Sequence, residues 1–267
     1  MSGTLVLGTA MGYGRSQLEV FVRSLRRHHA GPAMLLVAAA IADDAAALLD
    51  AHDIRRVYFD SAARIPMELQ LSRYLRYAEL MRAHAVPGDR VLFTDVGDVL
   101  FQADPFAAAP AAPLVLAMED ARATIGACAS NSFWIRNLFG EPGIAQLGGR
   151  RISCSGTTLG ERDALLGYID ALMALADPAT MQRLLPYRGH DQGLHNALLH
   201  TGRLAGALAS ENGDWALTLG HVPDDEIVVR DGTFLGPRGN VPAIVHQYPV
   251  KPAAAAAVQA VWGSGQR

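Results

Sequence analysis

The stretch that decides the fold is residues 91–101, Val-Leu-Phe-Thr-Asp-Val-Gly-Asp-Val-Leu-Phe. It begins with an apolar run typical of a buried strand, and Asp95 and Asp98 follow at the carboxyl end of that run. Carboxylates in this position suit a hard divalent cation, which prefers oxygen ligands. Side chains three residues apart in a strand point to opposite faces, so both acids reach one ion only if the chain turns, and Gly97 permits a turn. The structural alternative is that Asp98 caps a turn and Asp95 pairs with an arginine.

Upstream of this stretch, short apolar runs alternate with amphipathic segments. The pattern predicts strands at Leu5–Gly8, Met34–Val37 and Arg56–Phe59, and helices at Arg15–His29, Ala42–Ala51 and 69–84. Strands that alternate with helices predict an α/β domain with a mostly parallel central sheet and helices on both faces. In such sheets ligands bind at the carboxyl ends of the strands, where the two acids lie.

Downstream of residue 101 the pattern is less regular. It predicts a strand at Leu114–Met118, helices at 160–175 and 190–202, and short strands near 216–219, 226–229 and 242–246. The Pro- and Ala-rich residues 102–113 and the Gly-rich residues 139–151 predict loops. Because no composition break marks a linker, we expect one domain over residues 1–252 and an Ala-rich C-terminal tail over 253–267.

Composition excludes several classes of protein. The 267 residues carry a formal net charge of −3, which argues against general nucleic-acid binding. The longest apolar run, residues 33–42, is shorter than the roughly 20 residues that span a bilayer, so no transmembrane segment is expected. The two cysteines cannot build a disulfide framework and fit a cytoplasmic protein. No G-x-G-x-x-G or P-loop motif occurs, which disfavours a dinucleotide cofactor and excludes a P-loop.

Three further short motifs follow the paired acids in the chain: Cys-Ser-Gly at 154–156, Asp-Gln-Gly-Leu-His-Asn at 191–196 and His-Gln-Tyr at 246–248. With these motifs in this order, residues 4–252 resemble the GT-A glycosyltransferases of family 8, the glycogenin and bacterial lipooligosaccharide galactosyltransferase group. The resemblance implies a single Rossmann-like GT-A domain. It also implies transfer of a sugar from a nucleotide-sugar, expected to be a UDP-sugar, to an unidentified acceptor with retention of anomeric configuration.

The resemblance also implies a metal site. Asp95 matches the first acid of the family's D-x-D motif, Gly97 occupies the place of the second acid, and Asp98 follows one residue later. His246 matches the family's third ligand, and Lys251 matches the lysine that binds the diphosphate. An imidazole beside carboxylates favours Mn²⁺ over Mg²⁺. Which of the two acids contacts the metal directly stays open.

Residues around the donor sugar follow from the same resemblance. Arg76 would pair with the sugar or with the metal-binding acids, and Arg73 is the competing candidate. Asp191 would bond the donor sugar and Gln192 would lie under its anomeric carbon. The motif at 154–156 predicts a turn in which Ser155 and Gly156 approach the sugar. Cys154 is interpreted as a small buried residue. The stretch Asn131-Ser132-Phe133-Trp134 either borders this pocket or forms a core aromatic cluster, and the second interpretation is favoured.

The nucleotide would be held after the first and third strands. By resemblance, the loop with Thr9, Ala10 and Tyr13 holds the base and ribose, with Tyr13 stacked on uracil. Asp60 would bond the base or ribose.

Alternatives to this function remain open. An inverting enzyme would need a general base, for which Glu119 or Asp120 could serve. A metal-dependent phosphatase or nucleotidyltransferase would also use acids after a strand. A non-catalytic nucleotide-sugar binding module would bind UDP with Mn²⁺ and show no turnover.

Overall fold

The computed structural model describes residues 3–60, 69–184 and 188–263. Within them the strands in chain order are β1 (Thr4–Thr9), β2 (Ala33–Val37), β3 (Arg55–Tyr58), β4 (Arg90–Thr94), β5 (Val99–Phe101), β6 (Leu114–Met118), β7 (Ser153–Glu161), β8 (Ala207–Ser210), β9 (Ala216–Thr218), β10 (Val228–Arg230), β11 (Thr233–Leu235) and β12 (Ile244–His246). The helices are α1 (Arg15–His28), α2 (Asp43–Ala51), α3 (Leu69–His84), α4 (Ala129–Leu147), α5 (Arg162–Leu175), α6 (Pro178–Leu184), α7 (His190–His200) and α8 (Pro252–Trp262).

The central sheet has seven strands in the order β3-β2-β1-β4-β7-β6-β8 and is mostly parallel. Only β7 runs antiparallel to its neighbours, β4 and β6. Leu5 and Leu7 of β1 pack on one face with residues of α3 and α5, whereas Val6 packs on the other face with residues of α1 and α2. Helices therefore cover both faces, which is why the central strands are continuous apolar runs. The α/β class and the mostly parallel sheet are as predicted.

A second, three-stranded sheet fixes the position of His246. Strand β12 pairs antiparallel with β5, and His246 lies opposite Val99. The Gln247 backbone N–H donates to the Asp98 carbonyl oxygen at 2.9 Å. Because β5 begins directly after the acid pair, this pairing brings the end of β12 beside the end of β4.

One predicted loop and one predicted turn are wrong. Residues 139–147 continue α4, which is kinked at Gly140 (φ 67°) with Pro142 two residues later. The glycine and proline signals therefore mark a break within a helix and not a loop. The expected turn at 154–156 lies inside the nine-residue strand β7, where Gly156 permits close approach of neighbouring side chains.

The C-terminal segment carries a packed helix. Ala254 and Val258 of α8 are buried in a third cluster with Leu100 and Val245. Residues 264–267 of the predicted tail lie outside the described residues. Among the described helices, none combines the length and hydrophobicity needed to cross a bilayer.

Buried polar side chains join α7 to β7. Ser153 Oγ lies 2.9 Å from His195 Nε2, and Tyr168 Oη lies 2.8 Å from His195 Nδ1. Asn196 accepts from the Ser153 N–H and donates to the Ser153 carbonyl oxygen, both at 2.9 Å. Burial lowers the pKa of His195 to about 3. The imidazole is therefore neutral in the folded chain at pH 7 and part of a satisfied network.

We expect this histidine to make stability fall in acid. Below pH about 6.5 the unfolded chain takes up a proton at His195 that the folded chain does not bind. The folded pKa is lowered, so its contribution is present above 6.5 and is lost as pH falls towards 3, by up to about 1.4 kcal/mol per pH unit. Urea unfolding from pH 7 to pH 4 should show this slope, and His195→Gln should reduce it. An identical slope in both proteins would contradict the assignment.

Candidate metal centre

Asp95, Asp98 and His246 form one cluster. Each offers a ligand atom, and these atoms lie within 4.8 Å of one another. His246 Nε2 lies 3.4 Å from Asp98 Oδ2 and 3.6 Å from Asp95 Oδ2. The chain turns between Val96 and Asp98, which directs both acids to the same point. The structure thus brings together the three residues that the sequence nominated as metal ligands.

The donor set fits a divalent cation. His246 is buried, and its Nε2 has no hydrogen-bond partner among the described residues. Its Nδ1 lies 3.3 Å from Cys154 Sγ, which fixes the ring with Nε2 towards the acids. Burial is the largest single influence and lowers the pKa of His246, but Asp98, Cys154 and Asp95 together outweigh burial and raise that pKa well above its usual value. The two acids thus favour a positive charge at this point, which a proton or a cation can supply.

Arg73 holds the cluster from the α3 side. Its guanidinium donates to Asp95 Oδ1 at 2.7 Å and to Asp191 Oδ2 at 3.0 Å. Burial raises the pKa of Asp95, but Arg73 and His246 outweigh burial and hold it well below its usual range. One Asp95 oxygen is therefore bound by arginine and the other faces His246. Asp95 can therefore pair with an arginine and also serve as a metal ligand, because each role uses a different carboxylate oxygen.

The structure does not bring Arg76 to the cluster. Arg76 lies one turn further along α3 and pairs with Glu79 at 2.5 Å. The sequence contains a signal for this difference. Arg73 shares a helix face with the buried residues Tyr77 and Leu80, whereas Arg76 lies three residues before Glu79, with which it can pair. Arg73 is thus the arginine that contacts the predicted metal ligand Asp95 and the predicted sugar-binding residue Asp191.

A cavity of about 490 Å³ opens beside the cluster. Its lining includes four buried polar atoms without hydrogen-bond partners among the described residues: Gln70 Oε1, Arg73 Nε, Asn131 Oδ1 and His246 Nε2. A volume of this size suits a small ligand. The lining also carries the carboxylates of Asp95, Asp98, Glu119 and Asp191, so the cavity suits a polar ligand.

Strand β7 and helix α7 form one wall of the cavity. The Ser155 backbone N–H donates to Gln192 Oε1 at 2.7 Å, and Gln192 Nε2 donates to the Ser153 carbonyl oxygen at 2.8 Å. Ser155 Oγ donates to Asp191 Oδ2 at 3.4 Å. The predicted residues Ser155, Gly156, Asp191 and Gln192 therefore line one surface with the cluster.

Gly156 makes this close approach possible. A Cβ atom there would collide with Asp95 Oδ2 and would lie 2.6 Å from His246 Cε1. We expect Gly156→Ala to weaken Mn²⁺ binding by about tenfold or more, because it displaces two ligands. Calorimetric titration with Mn²⁺ tests this, with Gly149→Ala as control, since nothing lies within 4 Å of a Cβ at that position. Equal Mn²⁺ affinity in the two variants would contradict the assigned site.

Five predicted donor residues lie outside the lining of this cavity: Thr9, Ala10, Tyr13, Asp60 and Lys251. Thr9 Oγ1 is 2.7 Å from Tyr77 Oη, and Ala10 is buried in the core. Lys251 Nζ lies 2.9 Å from Asp224 Oδ1, and Asp60 is exposed.

Tyr13 borders the acid turn from the other side. A Cβ at Gly97 would lie 3.0 Å from its Cε2 atom. Burial, followed by the charges of Asp95 and Asp98, raises the pKa of Tyr13. The ring therefore occupies the space that a side chain at position 97 would need, which accounts for glycine there.

Sequence reasoning missed part of the cavity. For the stretch 131–134 a core cluster was favoured over a place at the border of the pocket, yet Asn131 and Trp134 line the cavity and Phe133 is 40% exposed. Gln70 also lines it and had no sequence signal. Cys154 is buried, as predicted, and both cysteines are free.

The sequence matches no protein-family model and no curated protein.

Proposed function

We propose that this chain is a metal-dependent glycosyltransferase of the GT-A type that transfers a sugar from a nucleotide-sugar, a UDP-sugar, to an acceptor. The observation that carries the proposal is the cluster of Asp95, Asp98 and His246, with its unpartnered imidazole nitrogen, beside a polar cavity. The cluster lies at the carboxyl end of β4 in a mostly parallel sheet, where α/β proteins bind ligands.

Asp95, Asp98 and His246 would hold Mn²⁺, or Mg²⁺. Such an ion, when bound, neutralises diphosphate oxygens and makes the diphosphate a better leaving group. Arg73 keeps the Asp95 carboxylate ionised and aimed at the cluster. A cation held by these residues would favour a diphosphate over a neutral ligand.

The donor sugar would occupy the cavity beside β7 and α7. Arg73 and Ser155 hold the Asp191 carboxylate in the wall, where it can accept hydrogen bonds from sugar hydroxyls. Lys251 can contact the diphosphate only if its side chain leaves Asp224.

The proposal is tested by incubating the protein with a panel of UDP-sugars and Mn²⁺ and identifying the products. We expect Mn²⁺-dependent release of UDP without phosphate or pyrophosphate. Release of phosphate or pyrophosphate would instead favour a phosphatase or a nucleotidyltransferase. Mn²⁺-dependent UDP binding without any turnover would favour a binding module.

A further inference from the structure

Glu119 differs from the other carboxylates in the lining of the cavity. Asp95 and Asp191 are bound by Arg73, and Asp98 faces His246. Glu119 follows β6 and is 3% exposed. Among the described residues, no arginine or lysine pairs with its carboxylate.

The groups that face Glu119 are few. His221 Nε2 lies 3.4 Å from Glu119 Oε2. The charge of His246 lowers the pKa of Glu119, and the charge of Glu119 in turn raises the pKa of the Cys154 thiol. Burial raises the pKa of Glu119, and His221 and His246 oppose that rise. A buried carboxylate on a cavity wall with a raised pKa has the properties of a general base.

The chain around Glu119 borders two cavities. A second cavity of about 750 Å³ is lined by Asp120, the next residue, and by Leu219 and Val222. Gly220 and His221, between those two residues, line the first cavity. The Glu119 side chain itself belongs to the lining of the first cavity, which also holds Asp95, Asp98 and His246.

Gln192 is accounted for without a role at the anomeric carbon. Both ends of its amide bond the backbone of Ser153 and Ser155, so it joins α7 to β7. These contacts of Gln192 therefore give no specific support to a mechanism that retains the anomeric configuration through an amide beside the anomeric carbon.

Building on the proposed function, we propose that Glu119 is the general base of an inverting transfer. The Glu119 carboxylate takes the proton of the acceptor hydroxyl, and the hydroxyl oxygen forms a bond to the anomeric carbon. The bond from that carbon to the diphosphate oxygen breaks at the same time, and its electron pair leaves with the diphosphate. The attack comes from the face opposite the leaving group, so the configuration inverts.

Because the acceptor is unidentified, water serves as acceptor in the test. UDP-α-D-glucose and UDP-α-D-galactose are hydrolysed with Mn²⁺, and NMR records the first anomer released before mutarotation. We expect the β anomer. Glu119→Gln should slow hydrolysis by about 100-fold or more, the range of general-base catalysis, while the Mn²⁺- and UDP-dependent rise in Tm is kept. Glu161→Gln, an exposed glutamate at the end of β7, is the matched control and should retain full rate.

The pH profile provides an independent readout. A base works only when deprotonated, so the wild-type rate should fall as pH decreases through the raised pKa of Glu119. The midpoint of this fall in rate should lie above the ordinary glutamate pKa of about 4.3. The fall should be absent in Glu119→Gln.

The outcomes separate the two proposals. Release of the α anomer, or an unchanged rate in Glu119→Gln, overturns the role of Glu119 and leaves the proposed function standing. Absence of wild-type turnover with every donor overturns both. If Glu119→Gln does not fold, the anomer released by the wild-type protein decides.

Discussion

Asp95→Asn is expected to abolish the thermal stabilisation that Mn²⁺ with UDP gives the wild-type protein. Asparagine keeps the shape of the side chain but removes the negative charge that a hard cation requires. A ligand at 100 times its Kd stabilises a protein by about 2.7 kcal/mol, so the wild-type Tm should rise clearly and that of the variant should not. Differential scanning calorimetry with and without Mn²⁺ and UDP measures both shifts.

The control for this substitution is Asp163→Asn, because Asp163 is exposed and its carboxylate lies 2.7 Å from the Arg162 guanidinium, away from the cluster. It should keep the full Mn²⁺-dependent shift. A shift of wild-type size in Asp95→Asn would exclude Asp95 as a metal ligand.

Arg73→Gln is expected to destabilise the fold strongly. It leaves the Asp191 carboxylate buried and the Asp95 carboxylate partly buried without their cation. Breaking a buried ion pair from one side costs about 3–5 kcal/mol. Arg76→Gln, one turn further along α3, removes a partly exposed pair with Glu79 and should cost about 1 kcal/mol or less.

Urea unfolding of both arginine variants at pH 7 gives the two free energies directly. Equal destabilisation by Arg73→Gln and Arg76→Gln would show that Arg73 does not hold the two acids in solution.

The first half of the fold was predictable because its signals are local. Apolar runs and 3.6-residue periodicity place β1, α1, β2 and α2 within about one or two residues of their bounds, as expected when both faces of a sheet are buried. In the second half β6, α5, α7, β9 and β12 were also predicted, but β7 was not, because this strand depends on distant partners. Strand β7 is stabilised by β4 and β6 on either side, and its small polar residues carry no strand signal of their own.

Site residues could be predicted where they belong to a sequence motif. Site residues that only tertiary packing brings to the cavity could not. The order of the motifs nominated Asp95, Asp98 and His246, which the fold brings together. The side-chain oxygens of Gln70 and Asn131 are buried without a hydrogen-bond partner among the described residues, and only the folded structure reveals this. Burial of a single polar side chain leaves no periodic trace in the sequence.

The most direct test of the central claim is a crystal structure of the protein with Mn²⁺ and UDP, with anomalous diffraction recorded at the manganese edge. We predict one strong anomalous peak at coordinating distance from His246 Nε2 and from a carboxylate oxygen of Asp95 or Asp98, with the UDP diphosphate against it. UDP bound elsewhere, or a manganese peak away from these three side chains, would contradict the account.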